Sequence, residues 1–351
     1  MTLNSLSEKP IGVIGSGNFG TVISNMLAVN KKVLLYARNP EEAQRINRER
    51  KSRGYDIHPN IEAINSYEQL AHDCDIIFPM VPSSNFREMM INLSPFLMPY
   101  HMLIHGTKGF DLQLPAGETI ETIPKLNRSQ VKTMSEVIRE ESVVVRIGCL
   151  AGPNLSKELA LRQPAATVIA SPFQEVIQTG KRLLKSDRFQ VYENNDIVGV
   201  EIAGVLKNII AIASGALSGL GFGDNAKGLL ISRGAVEMVY LGRALGGDTK
   251  AFLGLAGIGD LVTTCNSPMS RNFTVGYRLA KGNKLADIVK DMSEVAEGIN
   301  TVRIAKKCAD YYKVKALITD RLYKVLFEGL TVEDALDFLM RNPLNVDIDF
   351  I

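Results

Sequence analysis

The sequence is short of the features that mark several broad classes of protein. Its four cysteines, Cys74, Cys149, Cys265 and Cys308, stand far apart without a C-x-x-C pair. That spacing suggests neither a disulfide framework nor a zinc site, and it fits a reducing, cytoplasmic setting. The histidines, His58, His72, His101 and His105, are scattered within the N-terminal part of the chain, so no metal is expected and each is read as a core or surface residue. No long basic block occurs and the formal net charge is +2, so neither nucleic acid nor a membrane surface is expected as a partner. Residues 1–10 are polar and charged, with no apolar signal core, and secretion is not expected.

What is present is an ordinary globular composition, with 46% hydrophobic and 22% charged residues. At 351 residues the chain exceeds the usual size of a single core, so two domains are expected.

The stretch that organises the rest is 11–20, Ile-Gly-Val-Ile-Gly-Ser-Gly-Asn-Phe-Gly. A short β-type run feeds a G-x-G-x-x-G turn at Gly15, Gly17 and Gly20, and residues 21–28 can wind as the following helix. Gly15 allows a tight exit from the strand, Gly17 lets a pyrophosphate approach the backbone, and Gly20 lets the helix pack closely. The start of the helix then offers unpaired N–H groups and partial positive charge to phosphate. A second strand at 32–37 arrives at the expected distance and ends at Arg38. A carboxylate there would favour NAD, whereas an arginine can receive the 2′-phosphate of NADP, so the cofactor reading leans to NADP(H).

Further strands are expected at 75–82, ending or bulging at Pro79, at 102–105, at 143–149, at 166–170 and at 189–192, with helices at 41–53, 67–71, 86–93 and 131–141. Strands alternating with helices indicate a doubly wound parallel sheet of Rossmann type, with ligands beyond the carboxyl ends of the strands. Lys108, in Gly106-Thr107-Lys108-Gly109, lies at such an end. From Ile197 onward the pattern is helical. The fold class is therefore α/β, with a dinucleotide-binding domain over 1–195 and a second, all-helical domain over 196–351. The first long helix, 197–220, is apolar on nearly all sides and rich in Gly, Ala and Ser, but Glu201, Lys207 and Asn208 interrupt it. It reads as a buried central helix and not as a membrane span.

Lys207 is the most informative residue. Among Ala203, Val205, Leu206, Ile209 and Ile210 its ammonium is expected to be partly desolvated and to lose its proton more readily than in water, as suits an acid–base group. The alternative is an amine that snorkels to solvent. Asp260 could hold it in place, and Arg271 could clamp a phosphate. Taken singly, Asp260, Thr264 and Ser270 could equally be helix caps.

The glycine turn, Gly106-Thr107-Lys108-Gly109, Gly152-Pro153-Asn154, 200–208, Gly259-Asp260-Leu261, Ser270-Arg271-Asn272 and Val295-Ala296-Glu297-Gly298 occur in one order over nearly the whole chain. Together they resemble the bacterial NAD(P)-dependent glycerol-3-phosphate dehydrogenase family. The resemblance implies reversible reduction of dihydroxyacetone phosphate to sn-glycerol 3-phosphate with NADP(H) or NAD(H), supplying phospholipid backbones, by a cytoplasmic homodimer without metal. It implies Lys207 as the proton donor and acceptor and Lys108 as a second active-site lysine. Gly152, Asn154, Asn208, Asp260, Ser270, Arg271 and Asn272 match positions on the substrate side. Gly15, Ser16, Gly17, Asn18, Phe19, Gly20, Arg38, Tyr55, Lys108, Ser156, Arg271, Val295 and Glu297 match positions on the cofactor side.

The chain departs from the family's usual residues at Asn18, Asn154 and Ser156. Residues 124–128 and 345–351 match no function. Two rivals remain at this point. A related dehydrogenase of 3-hydroxy acids or ketopantoate would leave Arg271 and Lys108 without a phosphate to share. A nucleotide sensor would need only the glycine cradle.

Overall fold

A computed structural model describes residues 9–292 and 296–342. The chain divides into two compact units, Met1–Asp111 with Thr133–Ile197, and Leu112–Lys132 with Val198–Ile351.

The first unit is built on an eight-stranded sheet: β1 (Ile11–Ile14), β2 (Val33–Tyr36), β3 (Ile61–Ile64), β4 (Ile76–Pro79), β5 (Met102–His105), β6 (Arg146–Ala151), β7 (Ala165–Ala170) and β8 (Phe189–Asn194). The spatial order is β8-β7-β6-β5-β4-β1-β2-β3. Every residue of β1, β2, β4 and β5 is buried, because helices cover both faces and neither can show polar side chains to water. The chain runs outward from β1 through β2 to β3, and then from β4 in the other direction. The order therefore reverses between β1 and β4, so a ligand is expected beyond their carboxyl ends, where the glycine turn leaves β1.

Several expectations change in detail. β4 does end at Pro79, which has no N–H to extend the ladder. β7 is antiparallel to β6, so the sheet is mostly rather than wholly parallel. β3 has no counterpart in the sequence reading; it is a short edge strand with Glu62 exposed. The helix expected over 41–53 stops at Glu49, where Arg50 turns left-handed at φ 55°. Residues Lys51–Ser52 and Tyr55–Asp56 then pair as a small hairpin. The helix expected over 131–141 starts at Met134, because Thr133 and Glu136 form a reciprocal cap there.

The second unit is helical, and its axis is the helix Ile197–Gly219. By length and composition this helix could cross a membrane, yet 89% of its most apolar window is buried within the protein. Small residues allow a close crossing with the helix Arg271–Ala280. A Cβ on Gly215 would stand 1.9 Å from the Phe273 carbonyl oxygen, and one on Gly276 1.8 Å from that of Ile212. Neither distance can be met without moving backbone.

Residues 112–132 are tied into this unit. The Leu126 N–H donates to the Lys307 carbonyl, Arg128 Nε to the Leu245 carbonyl at 2.7 Å and the Arg128 N–H to the Tyr312 hydroxyl at 2.8 Å. The segment 124–128, which matches no function in the sequence, thus has a structural part. The crossing yields a prediction. Gly276→Ala is expected to cost at least about 2 kcal/mol and lower the melting temperature by about 4 °C or more, read by thermal denaturation of the purified protein.

Candidate active site

In the sheet unit the candidate residues gather at the turn after β1. Gly15 has φ 116°, and a Cβ there would press on the Met80 carbonyl at 2.7 Å; at Gly20 it would lie 2.0 Å from the Gly15 carbonyl. Only glycine fits either place. A Cβ on Gly17, by contrast, would meet nothing within 4 Å. The chain therefore leaves room over Gly17 that its own packing does not fill. The helix Asn18–Ala28 begins there with no side-chain cap and no acidic residue in its first turn. An uncapped helix start of this kind favours an anion, so the residues fit the pyrophosphate of a dinucleotide.

The other cofactor-side candidates spread around this turn. Ser16 is buried and its hydroxyl donates to Glu42 at 3.1 Å. Phe19 packs against the unit's core, and its ring limits the space at Gly106. Arg38 is exposed just beyond β2, its carbonyl accepting from Asn65 Nδ2 at 2.7 Å. Asn18 opens the first helix, and Ser156 opens the short helix Ser156–Ala160. Tyr55 lies in the small hairpin and lines a cleft with Val22, Met26 and Leu159. Val295 lies outside the described residues.

Lys108 and the Gly152 loop meet in this unit. Lys108 Nζ donates to the Gly152 carbonyl at 3.0 Å, and Gly152 has φ 142°, a conformation that favours glycine. Asn154 Nδ2 donates to the Thr167 hydroxyl at 2.9 Å, while its Oδ1 is buried without a hydrogen bond among the described residues. Such an oxygen is an acceptor suited to a ligand hydroxyl.

The helical unit carries its own group of candidate residues. Lys207 is 5% exposed, and its Nζ is 2.8 Å from Asp260 Oδ1, itself 2% exposed. The amine also donates to the Thr264 hydroxyl, and that hydroxyl lies 2.6 Å from the Asp260 carbonyl oxygen and 3.1 Å from its Oδ1. The snorkelling alternative is thereby removed. An ammonium can be buried here because the carboxylate cancels its charge. Thr264 is a partner that the sequence left as a possible cap, since only the fold brings it beside Lys207.

The local backbone explains the placement of Asp260. A π-helical turn, Leu255–Gly259, precedes the helix Asp260–Asn266, and such turns often mark functional positions. The Ser214 hydroxyl, further along the Lys207 helix, donates to the Cys265 carbonyl at 2.7 Å and bolts the two helices together. Burial pushes the Cys265 thiol up to about 12, so it stays protonated and is no nucleophile.

Ser270, Arg271 and Asn272 start a helix. The Ser270 hydroxyl caps it, accepting from the Phe273 N–H at 3.3 Å. Arg271 is exposed in its first turn, where no acidic residue stands. A cation at the positive end of a helix costs stability, and the combination suits an anion such as phosphate. Asn272 Oδ1 accepts from the Gly298 N–H at 3.0 Å, one residue past Glu297, which opens the helix Glu297–Tyr312. Asn272 can therefore offer a ligand its NH2 group. Asn208 is buried next to Lys207, and its carbonyl lies against Gly298. Among the described residues no cluster of three His, Cys, Asp or Glu could hold a metal.

The chain is similar over its length to known proteins. Residues 10–177 match the family described as NAD-dependent glycerol-3-phosphate dehydrogenase N-terminus, and residues 196–337 match the corresponding C-terminus. The chain is 38% identical over 348 residues to the glycerol-3-phosphate dehydrogenase [NAD(P)+] of Ectopseudomonas mendocina, covering 98% of this chain and 97% of the relative. It is 37% identical to that of Azotobacter vinelandii, covering 99% and 98%. The crystal structure of the glycerol-3-phosphate dehydrogenase from Coxiella burnetii superposes with a TM-score of 0.84 at 28% identity, over 95% of this chain and 99% of that one. A ketopantoate reductase from Ralstonia eutropha reaches a TM-score of 0.56 at 15% identity, over 93% and 99%, and shares the fold alone. The glycine cradle, the buried Lys207–Asp260 pair and both family matches lead to one conclusion: the chain belongs to the NAD-dependent glycerol-3-phosphate dehydrogenase family.

Proposed function

We propose that this protein interconverts dihydroxyacetone phosphate and sn-glycerol 3-phosphate with NADP(H) or NAD(H), with Lys207 as the proton donor and acceptor. The observation that carries the assignment is the buried ion pair, Lys207 to Asp260 at 2.8 Å. The bound nicotinamide supplies or takes up the hydride. When the substrate carbon accepts it, negative charge grows on the carbonyl oxygen, and Lys207 quenches that charge with a proton. In the opposite direction the deprotonated amine takes the hydroxyl proton.

Asp260 and Thr264 fix the direction of the amine and keep its charge balanced. Arg271, at the head of its helix, holds the substrate phosphate together with the N–H groups of the first turn. Ser270 and Asn272 set the position of that turn. Lys108 steadies the developing charge from the first unit, where the Gly152 loop holds it, and Asn154 Oδ1 receives a substrate hydroxyl. Asn208, Arg38, Ser156, Tyr55, Val295 and Glu297 complete the substrate and cofactor contacts in this reading, which rests for them on the resemblance of their motifs. Supply of sn-glycerol 3-phosphate for phospholipids follows from the same reading.

A cytoplasmic setting is supported by Cys74, Cys149, Cys265 and Cys308, all buried as free thiols. A homodimer is supported by apolar side chains exposed on the helical unit, Phe222, Leu229 and Met340 among them. Light scattering after size exclusion is expected to give twice the 38.5 kDa of one chain; the mass of a single chain would exclude the dimer.

Two substitutions separate chemistry from binding. Lys207→Ala is expected to lower kcat at least about a hundredfold, with KM changed only a few-fold, in a nicotinamide-absorbance assay with dihydroxyacetone phosphate. An unpaired Asp260 would cost about 3–5 kcal/mol of stability. Lys207→Met combined with Asp260→Asn is therefore the folding control, expected to be folded and equally inactive.

Gly17→Ala tests the cradle. Its Cβ meets no protein atom, so the melting temperature is expected to stay put while KM for both cofactors rises at least about tenfold. An unchanged KM would remove the turn from the cofactor site.

A further inference from the structure

The hairpin that replaces the end of the expected 41–53 helix is fastened to the glycine turn. The Ser52 hydroxyl donates to the Ser16 carbonyl at 3.3 Å, and the Thr21 hydroxyl to Ser52 Oγ at the same distance. Arg53 Nε donates to the Ser16 carbonyl at 3.4 Å. On the far side of the hairpin, Asn25 Nδ2 donates to the Asp56 carbonyl at 2.8 Å, and the His58 N–H donates to Asn25 Oδ1 at 2.9 Å. Both attachments are to the helix Asn18–Ala28 or the turn that feeds it.

The tip of the hairpin is made by Arg53 and Gly54, at φ 52° and 84°. Two successive left-handed residues form the kind of turn in which Asn or Gly is the usual first member. An arginine there is strained, and strain of this kind is retained where a side chain has work to do at that spot. The Arg53 guanidinium lies 3.6 Å from Glu42 Oε1, the same oxygen that accepts from the Ser16 hydroxyl at 3.1 Å. Glu42 stands in the first turn of the helix Pro40–Glu49, four residues after Arg38. Its carboxylate thus reaches from the element after β2 back to the turn after β1. In a doubly wound nucleotide fold, this is the crevice that receives the adenosine ribose.

We propose that Arg53 and Glu42 form a two-position selector for the cofactor's adenosine ribose, on top of the contribution of Arg38. With a 2′-phosphate bound, Arg53 leaves Glu42 and joins Arg38 on the phosphate. With a bare ribose, Arg53 stays on Glu42, and the carboxylate accepts from the ribose hydroxyl. The pairing is loose enough to be exchanged, at 3.6 Å with the Arg53 side chain 52% exposed. A phosphate dianion offers the guanidinium a stronger partner than a carboxylate does. One site can then accept both cofactors, with Arg53 changing partner between them. The proposal rests on the glycine turn being the cofactor site.

Calorimetric titration of the full-length protein with 2′,5′-ADP and with 5′-AMP reads the ribose position directly. Arg53→Asn removes the cation and keeps a residue suited to the left-handed turn. It is expected to weaken 2′,5′-ADP at least about tenfold and to leave 5′-AMP within about twofold, with an unchanged or higher melting temperature. Glu42→Gln is expected to do the opposite, weakening 5′-AMP and tightening 2′,5′-ADP. In steady-state assays the same variants should shift the ratio of kcat/KM for NADPH to that for NADH in opposite directions. Equal loss of both nucleotides in Arg53→Asn would overturn the proposal, because Arg53 would then only brace the Ser16 loop. Equal retention of both would also overturn it. If the unaltered protein bound neither nucleotide, the cofactor-site reading itself would fail, a result distinct from either.

Discussion

A charged amine buried in an apolar helix is sustainable only if its charge is cancelled nearby, and much of the helical unit is arranged to that end. Lys207 lies among Ala203, Leu206, Ile210 and Ala211, each essentially without solvent exposure. The compensating carboxylate comes from more than fifty residues away in sequence, on a helix entered through an irregular turn. Thr264 joins the two charges, and the Ser214–Cys265 bond keeps the helices in register. An isolated ammonium here would cost several kcal/mol, far more than one hydrogen bond returns. The fold thus holds a paired ammonium almost wholly away from water.

The two units solve complementary problems with the same means. Each has a helix N-terminus without an acidic residue in its first turn, uncapped by any side chain at Asn18 in the sheet unit and capped by Ser270 before Arg271 in the helical unit. At the first, charge is withheld: no side chain caps the N–H groups, and glycine keeps the approach clear. At the second, charge is added, since Arg271 stands where a cation is unfavourable for the helix alone. A pyrophosphate that lies along backbone asks for the former, and a terminal phosphate that must be gripped asks for the latter.

Much of this was legible in the residues. The glycine turn, the strands around Val33, Ile77 and Ile104 and the helix 86–93 follow from periodicity and turn chemistry. Lys207 was conspicuous because a lysine inside an apolar helix needs a reason. What escaped the reading shares a common character. β3 is four residues long and carries Glu62 at an edge, so it lacks a distinctive pattern. The direction of β7 is not marked by composition, since antiparallel and buried parallel strands use the same side chains. The end of the helix at Glu49 depends on Arg50 and Arg53 adopting left-handed conformations for which arginine has no preference. Thr264 and Glu42 acquire their roles only through partners distant in sequence.

The crossing of the helices Ile197–Gly219 and Arg271–Ala280 has a further meaning. Where Gly215 and Gly276 meet the opposing carbonyls, main chain rests on main chain, with no side chain between. Such a joint has no rotamers to explore and little slack to take up on warming. The spacing between Lys207 on one helix and Arg271 at the head of the other is therefore set by main chain resting directly on main chain, a stop that yields less than a cushion of leucines would.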